Sequence, residues 1–179
     1  MTTESLFIVG ALTVAGIGGI TDVVTRRIPN NLTYSAMLVA IVGRFAFEGW
    51  HGLGNAVAGG LVGSGAFLLF FLLRAMGAGD VKLITAVGCF VGPGLAIEIV
   101  FASAIAGGIF AIVFALWQGR LRTVLGNVGE LIKFHTAVGP EIHPTLNLTN
   151  PESVRLPYGV AIAAGVLFSV SAFYLRGGK

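Results

Sequence analysis

Two carboxylates sit where an apolar chain has little room for charge: Asp22 in "GGITDVVTRRIPN" and Asp80 in "MGAGDVKL". If helix packing brings them together, like charges at short range resist joint ionisation, and the pair shares one proton. Such a pair holds a base and an acid in one site. The ionised member takes a proton from water while the protonated member hydrogen-bonds to, and then protonates, a carbonyl oxygen, which is the chemistry of aspartic peptide hydrolysis. Gly77 and Gly79 suit that use, since residues without side chains allow a tight turn and close approach of a partner helix or substrate backbone to Asp80. Lys82 could hold orientation or charge balance, or serve as an anchor at the membrane surface. Acidic residues in membrane segments also carry ions or protons in transporters, and either carboxylate could be a loop group beside Arg26, Arg27 or Lys82. Depth and spacing alone leave structural, transport and catalytic roles open.

The elements that must position these residues are apolar. Of 179 residues, 55% are hydrophobic and 11% charged, and the mean hydropathy is +0.90, against a charged fraction of about 25% in soluble domains. This is the composition of an all-α, polytopic membrane protein. The net charge of +3 comes from scattered clusters and not from a basic face, so nucleic acid is not an expected partner and membrane lipid is. Cys89, the only cysteine, excludes an intrachain disulfide and a paired-cysteine zinc site. The start, "MTTESLFIVGALTV", lacks a basic region before its apolar run and reads as a retained helix.

A span needs about 20 mostly apolar residues. Candidates are 5–21, 32–50, 53–73, 81–92, 95–118 and 156–175, about six in all. The fourth, cut off by Pro93 and Gly94, reads as short and shielded by its neighbours or re-entrant. An even count puts both termini on one side. The odd connections then hold Arg26, Arg27, Arg74, Lys82, Arg120, Arg122, Lys133 and Arg155, eight of the eleven basic residues, which places those connections in the cytoplasm and both termini outside. Asp22 and Asp80 then fall at equivalent depths near the cytoplasmic boundary. Arg44 and Glu48, four apart, read as an ion pair near the outer interface with Arg44 reaching toward headgroups; Glu98 reads as an interface residue. Gly59 with Gly63, and Gly88 with Gly92, have the small-xxx-small spacing of close helix packing.

The chain reads as one membrane-embedded domain, 1–179, with a cytoplasmic amphipathic or irregular insert at about 118–155. Within it Leu121, Val124, Leu125, Val128, Leu131 and Ile132 recur at helical spacing, with Arg120, Arg122, Asn127, Glu130 and Lys133 largely opposite. Such a helix suits either the inner membrane surface or packing over the bundle. His135 and His143 lack a helical metal spacing, and no metal is expected. "NLT" occurs at 31–33 and 147–149 on the expected cytoplasmic side, where chance explains both.

Three stretches, "DVVTRRIPN" (Asp22 to Asn30), "GAGDVKL" (Gly77 to Leu83) and "LPYGVAIAAG" (Leu156 to Gly165), resemble those of the prepilin peptidases, membrane aspartic proteases that process type IV pilin precursors. The resemblance implies Asp22 and Asp80 as the catalytic pair, with no cofactor. It covers most of the chain and is closest to the short branch associated with tight-adherence, Flp-type pili, with archaeal preflagellin peptidases still open. The paired-cysteine cytoplasmic region of larger members is missing from this sequence, so their methyltransferase activity is not expected. The implied substrate is a small prepilin or pilin-like precursor with a short basic leader before a hydrophobic helix. It is cut at the cytoplasmic face of the bacterial inner membrane, in association with a pilus or secretion apparatus. Ile28, Pro29 and Asn30 are expected to fix the turn into the second helix, and Pro157, Tyr158 and Gly159 to shape a substrate groove. The competing readings are a small ion- or proton-coupled transporter using Asp22 and Asp80, and a scaffold subunit in which both are replaceable.

Overall fold

The computed structural model describes residues 2–146 and 156–178. Among them the chain is all-α: α1 (Thr3–Thr25), α2 (Asn30–Leu72), α3 (Ala78–Trp117), α4 (Leu121–Val138) and α5 (Tyr158–Leu175). Four of these helices, α1, α2, α3 and α5, are long and apolar enough to cross a membrane. Their outward faces carry Ile20, Leu38, Leu61, Phe101, Leu167 and Phe168, all largely exposed, an apolar surface that a water-soluble monomer would not leave bare.

The sequence reading gives six apolar segments where the structure has four such helices, and the difference lies at two glycines. Segments 32–50 and 53–73 both fall in α2, and 81–92 and 95–118 both fall in α3. Each long helix contains one non-helical residue, Gly49 (φ 63°, ψ −147°) in α2 and Gly92 (φ 76°, ψ 173°) in α3. Only a residue without a Cβ adopts these angles cheaply.

Contacts on either side show the chain folding back at both points. Arg44, before Gly49, bonds to the Phe90 carbonyl, yet Gly59, after it, packs against Gly88 and Gly92. A straight helix would hold residues 44 and 59 about 22 Å apart. Beyond Gly92 the second arm of α3 runs back beside α5, Ser103 against Gly165 and Gly107 against Tyr158.

The first arm of α3, residues 78–91, is the centre of the bundle. It is apolar nearly all round, and Val81, Leu83, Ile84, Ala86, Val87, Cys89, Phe90 and Val91 are all buried, as expected of a helix with neighbours on every side. At about 1.5 Å per residue it is about 21 Å long, short of a hydrocarbon core about 30 Å thick. This is the short, shielded segment that Pro93 and Gly94 announce in the sequence.

Close packing around this arm depends on glycine. A Cβ on Gly59 would lie 2.1 Å from the Gly88 carbonyl oxygen, and one on Gly88 would lie 2.2 Å from that of Gly59. The two backbones are therefore in direct contact, the arrangement that favours helix association where lipid supplies no hydrophobic drive. On α1, Gly10 admits the Phe90 ring and Gly18 admits Leu83.

The break at Gly92 takes the backbone off the helical path just after Phe90, and Arg44 meets the Phe90 carbonyl with Nε at 3.0 Å and Nη2 at 2.7 Å. Arg44 pairs with Glu48 at 2.9 Å, as its spacing predicts, and also with Glu4 at 3.3 Å. It does not reach toward headgroups: its side chain is 1% exposed, with the guanidinium over the Phe7 ring. The bland interface pair is thus a buried tie joining α1, α2 and α3.

The glycine contact gives a direct test. Gly59→Ala should cost ~1–3 kcal/mol or more by overpacking, read as a lower thermal midpoint in detergent. Gly65→Ala, on the same helix with nothing within 4 Å of its Cβ, should leave the midpoint in place; equal midpoints would show that the two backbones are not in contact.

Candidate active site

The antiparallel fit of α1 on the first arm of α3 sets the depth of both carboxylates. Gly10 lies against Phe90 and Gly18 against Leu83, and the same progression brings Asp22 level with Asp80 at the start of the arm. The two are close enough for the charge of Asp22 to act on Asp80. Asp22 is buried at 8% exposure, whereas Asp80 is only partly covered.

Each carboxylate lies at a helix N-terminus. The Gly159 N–H, in the first turn of α5, donates to Asp22 Oδ2 at 2.8 Å. Asp80 occupies the third position of α3 and turns back toward Gly77, the N-cap residue. Helix N-termini are where negative charge is favoured.

Glycine stands beside both carboxylates for the same steric reason. A Cβ on Gly77 would sit 3.1 Å from Asp80 Oδ2, and one on Gly159 would sit 3.0 Å from the Asp22 Cβ and 3.1 Å from its Oδ2. Gly79 makes a different accommodation: its Cβ would lie 3.2 Å from the Ile28 Cβ, so the α1–α2 connection rests directly on the start of α3.

The remaining motif residues brace this end of the bundle. Pro29 is the N-cap residue of α2, with extended backbone. Asn30 Oδ1 accepts from Lys82 Nζ at 2.9 Å, and the same ammonium lies over the Tyr34 ring. Lys82 thereby ties α3 to α2. Pro157 is the N-cap residue of α5. The Tyr158 hydroxyl donates to the Ser103 carbonyl at 3.1 Å, and its ring packs against Phe67 and Gly107. Tyr158 therefore holds α5 onto α2 and α3, and Gly159 faces Asp22.

Gly19 and Ser103 belong to this arrangement and were not singled out by sequence. A Cβ on Gly19 would lie 3.2 Å from the Gly159 carbonyl oxygen, so this glycine lets α5 reach Asp22. The signal was the pair Gly18-Gly19 one turn before the aspartate. Nothing local marks Ser103, whose contribution to Tyr158 is a main-chain carbonyl. Among the described residues no group of three or more His, Cys, Asp or Glu side chains could hold a metal ion.

Apolar helices enclosing two carboxylates at helix N-termini, one of them bonded to a backbone amide, define a multi-pass helical membrane protein with an acidic pair at one end of its bundle. Residues 6–112, more than half of the chain and including both aspartates, match the type IV leader peptidase family, and the chain belongs to that family. No curated protein and no solved structure matches it closely enough to count as a relative.

Gly159→Ala should push Asp22 out of position and lower the rate of leader cleavage about tenfold to a hundredfold, the usual cost of displacing a reacting group. Gly16→Ala, on α1 with nothing within 4 Å, should cleave at the unsubstituted rate. An undiminished rate in a folded Gly159→Ala protein would remove the amide contact from the site's requirements.

Proposed function

We propose that the protein is an aspartic endopeptidase that removes the short basic leader of Flp-type prepilins at the cytoplasmic boundary of the bacterial inner membrane. The observation that carries this reading is the pair of carboxylates at helix N-termini at one end of the bundle, in a chain of the type IV leader peptidase family. Asp22 keeps Oδ2 for its amide and has Oδ1 left for chemistry.

In the proposed cycle the pair shares one proton. The ionised carboxylate takes a proton from water, the hydroxide equivalent attacks the scissile carbonyl, and the protonated partner donates to the carbonyl oxygen. The tetrahedral intermediate collapses as the leaving amine takes a proton, giving the leader's carboxyl terminus and the new amino terminus of the pilin. Asp22 Oδ2 accepts from Gly159, which confines the shared proton to Asp22 Oδ1 or to Asp80.

The folding back at Gly49 and Gly92 supports six crossings, with α2 and α3 each supplying two. Under that topology Arg26, Arg27, Arg74 and Arg120 lie at the end that carries Asp22 and Asp80, while Glu4, Glu48 and Trp50 lie at the other. The excess of arginine at the dyad's end supports a cytoplasmic site with both termini outside. A cut at this depth would leave the precursor's hydrophobic helix in the membrane, ready for a pilus or secretion apparatus.

Co-expression with an Flp-type prepilin tests the reading. The wild-type chain should convert the precursor to a form lacking its leader, and Asp22→Asn and Asp80→Asn should each reduce conversion by at least about a thousandfold while remaining folded in the membrane. Full cleavage by either variant would sink the dyad. Ion-dependent solute uptake without any cleavage would identify a transporter instead.

A further inference from the structure

The amphipathic helix α4 has no task in the chemistry above. It touches no helix except α3 and buries none of its residues. At 100° per residue, Leu125, Val128 and Ile132 fall within an arc of about 60°, and they are 58%, 46% and 60% exposed. The return segment touches the opposite side. His143 is buried there, its ring 4.6 Å from that of Phe134 and its Nε2 3.6 Å from Glu130 Oε1. Among the described residues, then, the return segment meets α4 at Phe134 and Glu130 and leaves its apolar front bare.

Two observations identify what the front meets. Arg122 and Lys133 lie on the same flank of the apolar arc, one near each end of the helix and about 90–110° from the arc's centre, whereas Glu130 points away with the return segment. The chain also reaches α4 from membrane depth. α3 ends at Trp117, which is 84% exposed, the kind of aromatic that settles at headgroup level. Gly119, at φ 68°, turns the chain, and α4 begins at Leu121.

We propose that α4 lies in the plane of the membrane that holds the bundle. Leu125, Val128 and Ile132 enter the boundary between headgroups and acyl chains, and Arg122 and Lys133 pair with the phosphates of anionic lipids. The apolar front is buried as in other interfacial helices, and each basic group near an anionic surface strengthens the attachment. Helix α4 would then fix the tilt of the second arm of α3, to which it is joined.

Full-length protein in vesicles of phosphatidylcholine and phosphatidylglycerol tests this. Single cysteines at Val128, Ile132, Thr123 and Ala137 are labelled with an environment-sensitive fluorophore, and the unsubstituted chain, whose Cys89 is buried, serves as the labelling blank. Labels at 128 and 132 should be quenched by nitroxide-bearing lipid and protected from aqueous iodide, with the reverse at 123 and 137. Iodide quenching of all four alike would overturn the proposal, as would protection of 128 and 132 from both quenchers, which would mean that protein covers the arc. Omitting phosphatidylglycerol, or combining Arg122→Glu with Lys133→Glu, should at least halve the lipid quenching at 128. No change in either case would overturn the anionic-lipid pairing.

Discussion

The bond between Arg44 and the Phe90 carbonyl is the constraint on which the site's geometry rests. A backbone carbonyl released inside an apolar bundle needs a donor, because lipid provides none. A buried guanidinium in turn needs carboxylates, and breaking such a group by removing one partner costs about 3–5 kcal/mol. Glu4 of α1 and Glu48 of α2 meet that need, so a single charged group fixes three chain segments at one end of the central arm. Its other end carries Asp80. Because the arm is a short rigid helix, holding Phe90 in place also sets the depth of Asp80, and the glycine-mediated fit of α1 carries Asp22 to the same depth.

The glycines divide into those that make the bundle and those that make the site, and the neighbour each one admits tells them apart. Gly59 and Gly88 bring backbone to backbone, while Gly10 and Gly18 accept side chains of the central arm. Gly77 and Gly159 leave room for carboxylate oxygens, and Gly159 presents its own N–H group to Asp22. At Gly159 the amide donor and the clearance it needs therefore come from one residue.

Much of this was legible in the sequence where charge and apolarity are in conflict. Asp22 and Asp80 could be found because so few charges interrupt the helices, and the short fourth segment could be read from Pro93 and Gly94. The spacing of Gly77 and Gly79 suggests clearance around Asp80, and Gly77 lies there while Gly79 admits Ile28; the role of Gly159 is hidden by distance, because it acts on a residue 137 positions earlier, through a main-chain amide that every residue but proline has. Arg44 misled for a related reason. Its partner Glu48 lies at helical spacing and is visible locally, whereas Glu4 and the Phe90 carbonyl are supplied by packing, and they turn an interface residue into a buried one. The six segments differ from four apolar helices because φ and ψ at Gly49 and Gly92 reverse the chain with no intervening loop residues to announce it.

The two carboxylates are not exposed alike, and that makes the site one-sided. Asp22 stands behind the first turn of α5, with Gly159 on one oxygen and the backbone of Gly18 and Gly19 beside it. Asp80 sits at the very start of its helix, where the chain has just entered the bundle, and is partly open. The open side of the pair is therefore that of Asp80 and of the Gly77–Gly79 turn. Tyr158, braced on the Ser103 carbonyl and on Phe67, holds α5 against α2 and α3. The proposed cleavage at a membrane boundary would use such an asymmetry, because the bond would have to reach both carboxylates while the helix that follows it stayed outside the bundle.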